Sequence, residues 1–259
     1  MRFSLLLLLS FFLSAFTFNF DKFSEADQKK VDRILGQWAM FMEAKKEDGS
    51  ATQIDFPLIY SPISEEEKKF LDEMRTIDPK KEFDFQGGKL DTALTCGELA
   101  EVPAQWIEKE GEKKRVDQQY LPLPTLQAYE RMMEAMQKDL GKKLVVESGY
   151  RSPAYQLYTF LFYLPKHDYS IRETAKWIAF PGYSEHGSPV TQAIDFMNEK
   201  GINGEDDVTE FERLPEYEWL VKRAGEFRFE LSYPRGKKGI NFEPWHWRHI
   251  ETTCSEKSS

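Results

Sequence analysis

The sequence predicts an α+β fold: a small, mainly antiparallel sheet flanked by helices, preceded by a helical N-terminal extension. Three observations predict it. Apolar residues recur at helical spacing through the first third of the chain. Strand-like segments, Leu144–Ser148, Phe227–Tyr233 and the stretch entering 243–250, cluster late. Helical patterns are mixed with these late strands, which suggests α+β with a mainly antiparallel sheet.

The 259 residues suffice for one large domain or two small ones, and 41% hydrophobic with 14% aromatic residues allows a substantial core. The formal charge is -9 and the basic residues are dispersed, so the chain is not expected to bind nucleic acid. At the N-terminus Arg2 precedes an apolar run from Leu5 to Phe18. A short basic region and an apolar stretch of this length read as a secretory signal over residues 1–19, too short for a membrane span. No stable membrane span is expected after its cleavage. Export would place the protein in the periplasm or at the cell wall. There, Cys96 and Cys254 would meet oxidising conditions and either pair or remain free thiols.

Residues 20–100 form the predicted extension. Ser24-Glu25-Ala26-Asp27 starts a helix, and Val31, Leu35, Trp38 and Phe41 or Met42 give its apolar stripe. Asp48-Gly49-Ser50 is a turn. Ser64-Glu65-Glu66-Glu67 starts a second helix with Phe70, Leu71 and Met74 facing inward. Asp78-Pro79 and Gly87-Gly88 punctuate the chain beyond that helix. These helices carry no recognisable chemistry and read as packing surface.

A second domain is expected over 101–259. Residues 100–120 are polar and show no clear period. An amphipathic helix then carries Leu126, Tyr129, Met133, Met136 and Leu140, with Gly141 placed to end it. A strand comes next at Leu144–Ser148, then a buried helix from Pro153 to Leu164. Ser170-Ile171-Arg172-Glu173 caps a helix running to about Ala179, and Pro215–Ala224 makes another. Phe227, Phe229 and Leu231 alternate on one face of a strand, and Pro234-Arg235-Gly236 turns the chain into the last one.

Of the four histidines, His186 lies in Ser184-Glu185-His186, shortly before Ala193-Ile194-Asp195, and His246 lies three residues after Glu243. Two imidazoles and a carboxylate suit a zinc ion where thiolates are absent, and a further glutamate could handle protons. Alternation along the last strand puts His246 and Arg248 on one face and turns His249 away. There is no His-Glu-x-x-His helix, so helical zinc proteases are not the model.

Ser148-Gly149-Tyr150-Arg151-Ser152 with Gln156, Pro181-Gly182-Tyr183-Ser184-Glu185-His186, Ala193-Ile194-Asp195 and Glu243-Pro244-Trp245-His246-Trp247-Arg248 together resemble the VanY-type D-alanyl-D-alanine carboxypeptidases, within the wider group of zinc D,D- and L,D-peptidases of peptidoglycan. The resemblance covers roughly Leu121 to Ile250. It implies that His186, Asp195 and His246 bind Zn2+, that Glu243 is the general base, that Arg151 binds the substrate's terminal carboxylate, and that Gln156 and Ser184 belong to the substrate pocket. The family pattern has six residues between the first histidine and the aspartate, with a glycine three after the histidine. Here eight, Gly187 to Ile194, intervene, and Pro189 stands at the glycine's place. A loop absorbs two extra residues at small entropic cost. The expected activity is removal of a terminal D-alanine from peptidoglycan stem peptides. A same-family endopeptidase and a non-catalytic zinc module binding wall peptides are the alternatives. Oligomeric state and D,D versus L,D choice are not legible.

Overall fold

The computed structural model describes residues 18–83, 85, 90, 98–188, 191–237 and 240–250. Most of the signal-like run, Pro189, Cys96 and Cys254 lie outside the described residues. Among the described residues no helix is long and apolar enough to cross a membrane.

The first long helix, α1 (Glu25–Glu47), starts where expected: Ser24 Oγ accepts the Asp27 N–H, and Val31, Ile34, Trp38 and Met42 are buried. Leu35 is only partly buried, because the stripe keeps 3.6-residue spacing through Ile34. Two further helices come next, α2 (Phe56–Tyr60) and α3 (Glu65–Arg75). The latter carries a full capping box between Ser64 and Glu67. One turn, α4 (Pro79–Glu82), ends the helical part.

Residues 99–122 are strands, β1 (Leu99–Glu101), β2 (Trp106–Lys109), β3 (Glu112–Arg115) and β4 (Tyr120–Pro122). β1 pairs with β4, and β2 with β3, both antiparallel. The sequence pattern hid β2 and β3 because every β3 residue is exposed and β2 has one half-buried side chain, leaving no apolar alternation. The β2–β3 turn uses positive φ at both Glu110 and Gly111, which suits a two-residue hairpin.

Helix α5 (Leu123–Leu140) ends at Gly141 in the left-handed conformation. It leads into β5 (Leu144–Ser148), α6 (Pro153–Tyr163) and α7 (Ile171–Thr174). α7 is a single turn, shorter than its capping box suggests; from Ala175 to Ala179 the chain lines a cavity instead. β6 (Thr191–Asn198), α8 (Val208–Glu212), α9 (Pro215–Arg223), β7 (Phe229–Leu231) and β8 (His246–Ile250) complete the chain. β7 begins two residues later than its alternation predicts, since Arg228 has φ 63 and breaks the extended run after Phe227.

The main sheet is antiparallel with strand order β5-β6-β8-β7. Alternation gives it two distinct faces. Ile194 and Phe196 of β6 and Trp247 of β8 pack with Met132 and Met136 of α5 and with Leu220 of α9 in one apolar core. Asp195 and His246, directly paired in the register, point to the other face. A second core joins α1 and α3 to α6, through Trp38, Leu71, Leu157 and Phe160 among others.

Candidate metal and substrate site

Four segments bring the site together. β5 ends in Ser148-Gly149-Tyr150-Arg151, and the chain turns sharply there. A Cβ on Gly149 would lie 2.5 Å from the carbonyl oxygen of Tyr120, and that oxygen accepts the Tyr150 N–H at 2.7 Å. Only glycine permits this approach. His186 sits in a short turn, Glu185–Gly187, whose start is capped by Ser184 Oγ accepting the His186 N–H at 3.3 Å. The two segments are tied by the Arg151 N–H donating to His186 O at 3.1 Å. The other two, β6 and β8, supply Asp195 and His246.

The side chains of His186, Asp195 and His246 are all buried, and each offers a ligand atom within 4.8 Å of the others. His186 Nδ1 donates to Gly149 O at 2.7 Å, which leaves the lone pair of Nε2 facing inward. That lone pair and Asp195 Oδ2, both acceptors, face each other at 3.0 Å and share the Arg151 Nη2 donor, at 2.9 and 2.8 Å. His246 presents Nδ1 to Asp195 Oδ1 at 2.7 Å and Nε2 to Glu185 Oε2 at 3.1 Å. The Tyr233 ring stacks on His246, with centroids 4.6 Å apart.

These residues fit a zinc ion. Two imidazole nitrogens and a carboxylate oxygen form a donor set zinc prefers; tetrahedral bonds of about 2.0–2.1 Å separate donors by about 3.3 Å, and the imidazole nitrogens of His186 and His246 lie 3.0 and 2.7 Å from the Asp195 oxygens. The two facing acceptors, His186 Nε2 and Asp195 Oδ2, favour positive charge beside them, which the Arg151 guanidinium also supplies. His246 also has the carboxylate partner on its far nitrogen that orients metal-binding imidazoles.

The charges are divided unevenly. Burial, with Arg151 beside it, pulls His186 down to about 4. Burial would lower His246 too, but Asp195 and Glu185 outweigh it and hold the ring up to about 10. Burial would raise Asp195, yet the two imidazoles keep it well below the usual carboxylate range. Glu243 is buried, with Oε2 3.9 Å from His246 Nδ1, and burial pushes its carboxyl up to about 8. A carboxyl titrating near neutrality is suited to carrying a proton.

A cavity of about 290 Å³ opens onto this group, lined by the largely buried Arg151, Ser184, Tyr233 and Glu243 and by the exposed Lys166, Lys176 and Trp177. Gln156 stands behind Arg151: its Oε1 accepts from Nη1 at 3.3 Å, and its Nε2 donates to Ala179 O at 2.7 Å. His249 faces the opposite core, where its Nδ1 meets Thr125 Oγ1 at 3.0 Å.

Two residues acquire a place that sequence reading did not assign. Glu185 holds His246, and Arg248 holds Glu185, with Nη1 2.8 Å from Oε1. Arg248 also pairs with Glu230. The shared strand face of His246 and Arg248 was the available signal; that Glu185 lies across it was not. The eight residues after His186 do return Asp195 to the cluster. Thr191 N–H donates to Ser188 Oγ at 3.0 Å, drawing the two ends of the loop together.

Known proteins match part of this chain. A D-alanyl-D-alanine carboxypeptidase of Enterococcus faecium is 27% identical over 135 residues, 51% of this chain and 38% of its own length. A bifunctional D-Ala-D-Ala dipeptidase and carboxypeptidase, VanXYC of Enterococcus gallinarum, is 27% identical over 139 residues, 51% of this chain and 67% of its own. This chain therefore spans well under half the length of the first relative. Among solved structures, an LdcB LD-carboxypeptidase aligns with 59% of this chain and 67% of its own at 25% identity and a TM-score of 0.44. A VanY D,D-pentapeptidase from a VanB-type resistance cassette, solved with Zn(II), aligns with 58% and 79% at 22% identity and a TM-score of 0.42. The model of the VanY D-alanyl-D-alanine carboxypeptidases matches residues 118–252, just over half of the chain and the whole of the stretch from β5 to β8. With that match, this chain belongs to the VanY family.

Proposed function

We propose that the protein is a zinc-dependent carboxypeptidase that removes a C-terminal D-alanine from peptidoglycan stem peptides. The observation that carries this reading is the meeting of His186, Asp195 and His246 beside a buried Glu243, in a cavity that also holds Arg151. Membership of the VanY family supports the substrate class.

His186, Asp195 and His246 would hold the ion. When bound, zinc supplies Lewis acidity and makes water a better acid at neutral pH. Glu243 accepts a proton from the attacking water and delivers it to the nitrogen of the leaving D-alanine as the C–N bond breaks, so the shortened peptide leaves with a new carboxylate. Arg151 offers a planar pair of donors to the substrate's terminal carboxylate, and Gln156 keeps that guanidinium oriented. Such an anchor makes the site count from a chain end. Ser184, at the cavity wall, both shapes the His186 turn and faces the substrate. This substrate lies outside the cytoplasm, so the reading requires export, which the apolar run after Arg2 would direct.

The test is Glu243→Gln in the zinc-loaded protein. Release of D-alanine from a defined muropeptide, measured by mass analysis, should fall by about 10²- to 10⁴-fold, with zinc content near one per chain. Full activity in the variant, or wild-type activity undiminished by a strong chelator, would overturn the reading.

A further inference from the structure

The helical part before β1 precedes the stretch matched by the VanY family, and the proposed catalytic chemistry makes no use of it. Its packing nevertheless reaches the site. Ile34, Trp38 and Leu71 share a core with Leu157 and Phe160 of α6. Just after α1, two backbone carbonyls close on the turn that carries Arg151. Thr52 O accepts the Ser152 N–H at 2.8 Å, and Ile54 O accepts from Ser152 Oγ at 2.5 Å. The same Oγ accepts the Tyr155 N–H at 3.1 Å and so caps α6. A hydroxyl can serve both partners, donating to one and accepting from the other. Ser152 is buried, so parting from those carbonyls would leave a donor unpaired; the residue next to Arg151 is bound to move with them.

A second set of ties holds the outer wall of the cavity. The Arg172 N–H donates to Phe20 O at 3.1 Å, and its guanidinium reaches Glu82 O at 2.9 Å and Asp21 at 2.8 Å. The ring of Phe83 meets that of Phe180 edge-on at 5.9 Å. Between these ties run Lys176 and Trp177, which line the cavity. By contrast, Asp195 and His246 are held by pairing within the sheet.

We propose that the helical extension is a positioning element of the substrate pocket. It fixes Ser152, and through it Arg151, together with the outer wall, so that it governs how tightly a peptide is held and not how fast its bond is broken. The kinetic half of this proposal rests on the carboxypeptidase reading; the mechanical half does not.

The experiment uses the full, zinc-loaded chain with Ile54→Ala, which loosens the carbonyl segment from a side chain buried in the extension, and Ile54→Val as the conservative control. Amide hydrogen exchange at Ser152 and Tyr155 should quicken by about ten-fold in Ile54→Ala and stay unchanged in β6 and β8. KM for a peptide with a free C-terminal carboxylate should rise by about five- to ten-fold, with kcat within two-fold and Ile54→Val close to wild type. Unchanged exchange at Ser152, or a loss confined to kcat, would overturn the proposal. Should Ile54→Ala not fold, Ser152→Ala with Ser152→Thr as the rescue reads the same tie from the other side, with the same two outcomes. A wild type lacking peptidase activity would overturn the carboxypeptidase reading, while the exchange measurement would still decide whether the extension holds the Arg151 turn.

Discussion

Glu185 and His246 meet across the site: Oε2 of the glutamate lies 3.1 Å from Nε2 of the ring, on the side away from Asp195. Arg248 fixes the glutamate's other oxygen. This arrangement decides which ring nitrogen faces Asp195. Glu185→Ala should therefore weaken zinc binding by about 10- to 100-fold, and Glu185→Gln by less, because an amide oxygen can still accept from the ring. Competition with a calibrated chelator measures both. Equal affinities in all three proteins would show that the ring needs no such partner.

Arg151 is expected to act by geometry as well as charge. Arg151→Lys keeps the charge but loses the fork. KM for a peptide with a free terminal carboxylate should rise about ten-fold or more, while hydrolysis of the C-terminally amidated peptide should be poor in both proteins and change little. Steady-state kinetics on the two peptides checks this. An equal loss on both would remove Arg151 from carboxylate recognition.

Glu147 should make stability fall with rising pH. Burial first, then the charges of Asp195, Glu205 and Asp206, push its carboxyl up from 4.5 to about 8, against the opposing Asn203 amide 2.9 Å away. The unfolded chain releases this proton near 4.5, whereas the folded chain keeps it to about 8. The stabilisation is thus complete below the lower value and is lost as pH climbs to the upper one. Glu147→Gln keeps an oxygen for Asn203 and removes the titration. It should flatten a slope of up to about 1.4 kcal/mol per pH unit. Urea unfolding at pH 5 and pH 8 reads it; an identical pH response in the two proteins would show that Glu147 titrates normally.

Gly149→Ala tests the turn ahead of Arg151. The added carbon would press on the Tyr120 carbonyl at 2.5 Å, so the backbone must shift and weaken the Tyr150 N–H bond to that oxygen. A loss of about 1–3 kcal/mol in unfolding free energy is expected. Unchanged stability with unchanged zinc affinity would show that the turn yields without cost.

The helices of the fold were the most legible part. α1 and α5 each bury one stripe, and Ser24 and Gly141 mark a start and an end by side-chain capping and left-handed backbone. Sheet strands were legible where a short apolar run is buried, as in the Leu144, Val145 and Val146 of β5. The β2–β3 hairpin was not, since both strands face solvent and nothing in their alternation distinguishes them from loop. α7 is shorter than its start signal predicts, because an N-terminal cap specifies where a helix starts and says nothing of where it stops. In the site, His186, Asp195, His246 and Glu243 were named from residue type, spacing and resemblance, and the folded chain gathers them. Glu185 was visible in the sequence without a role, because its role depends on facing His246 from 61 positions away.

By itself the sequence determined the ingredients: donor types that suit zinc, a guanidinium at a turn, an antiparallel sheet to carry them. These derive from side-chain chemistry and local periodicity, both written residue by residue. Tertiary structure alone decided that Glu185 backs His246, that Gln156 backs Arg151, and that the carbonyls of Thr52 and Ile54 grip Ser152. The first depends on which distant side chains share a face, and the second on how the chain turns between β5 and α6. The last uses backbone groups, which every residue possesses and no residue type announces.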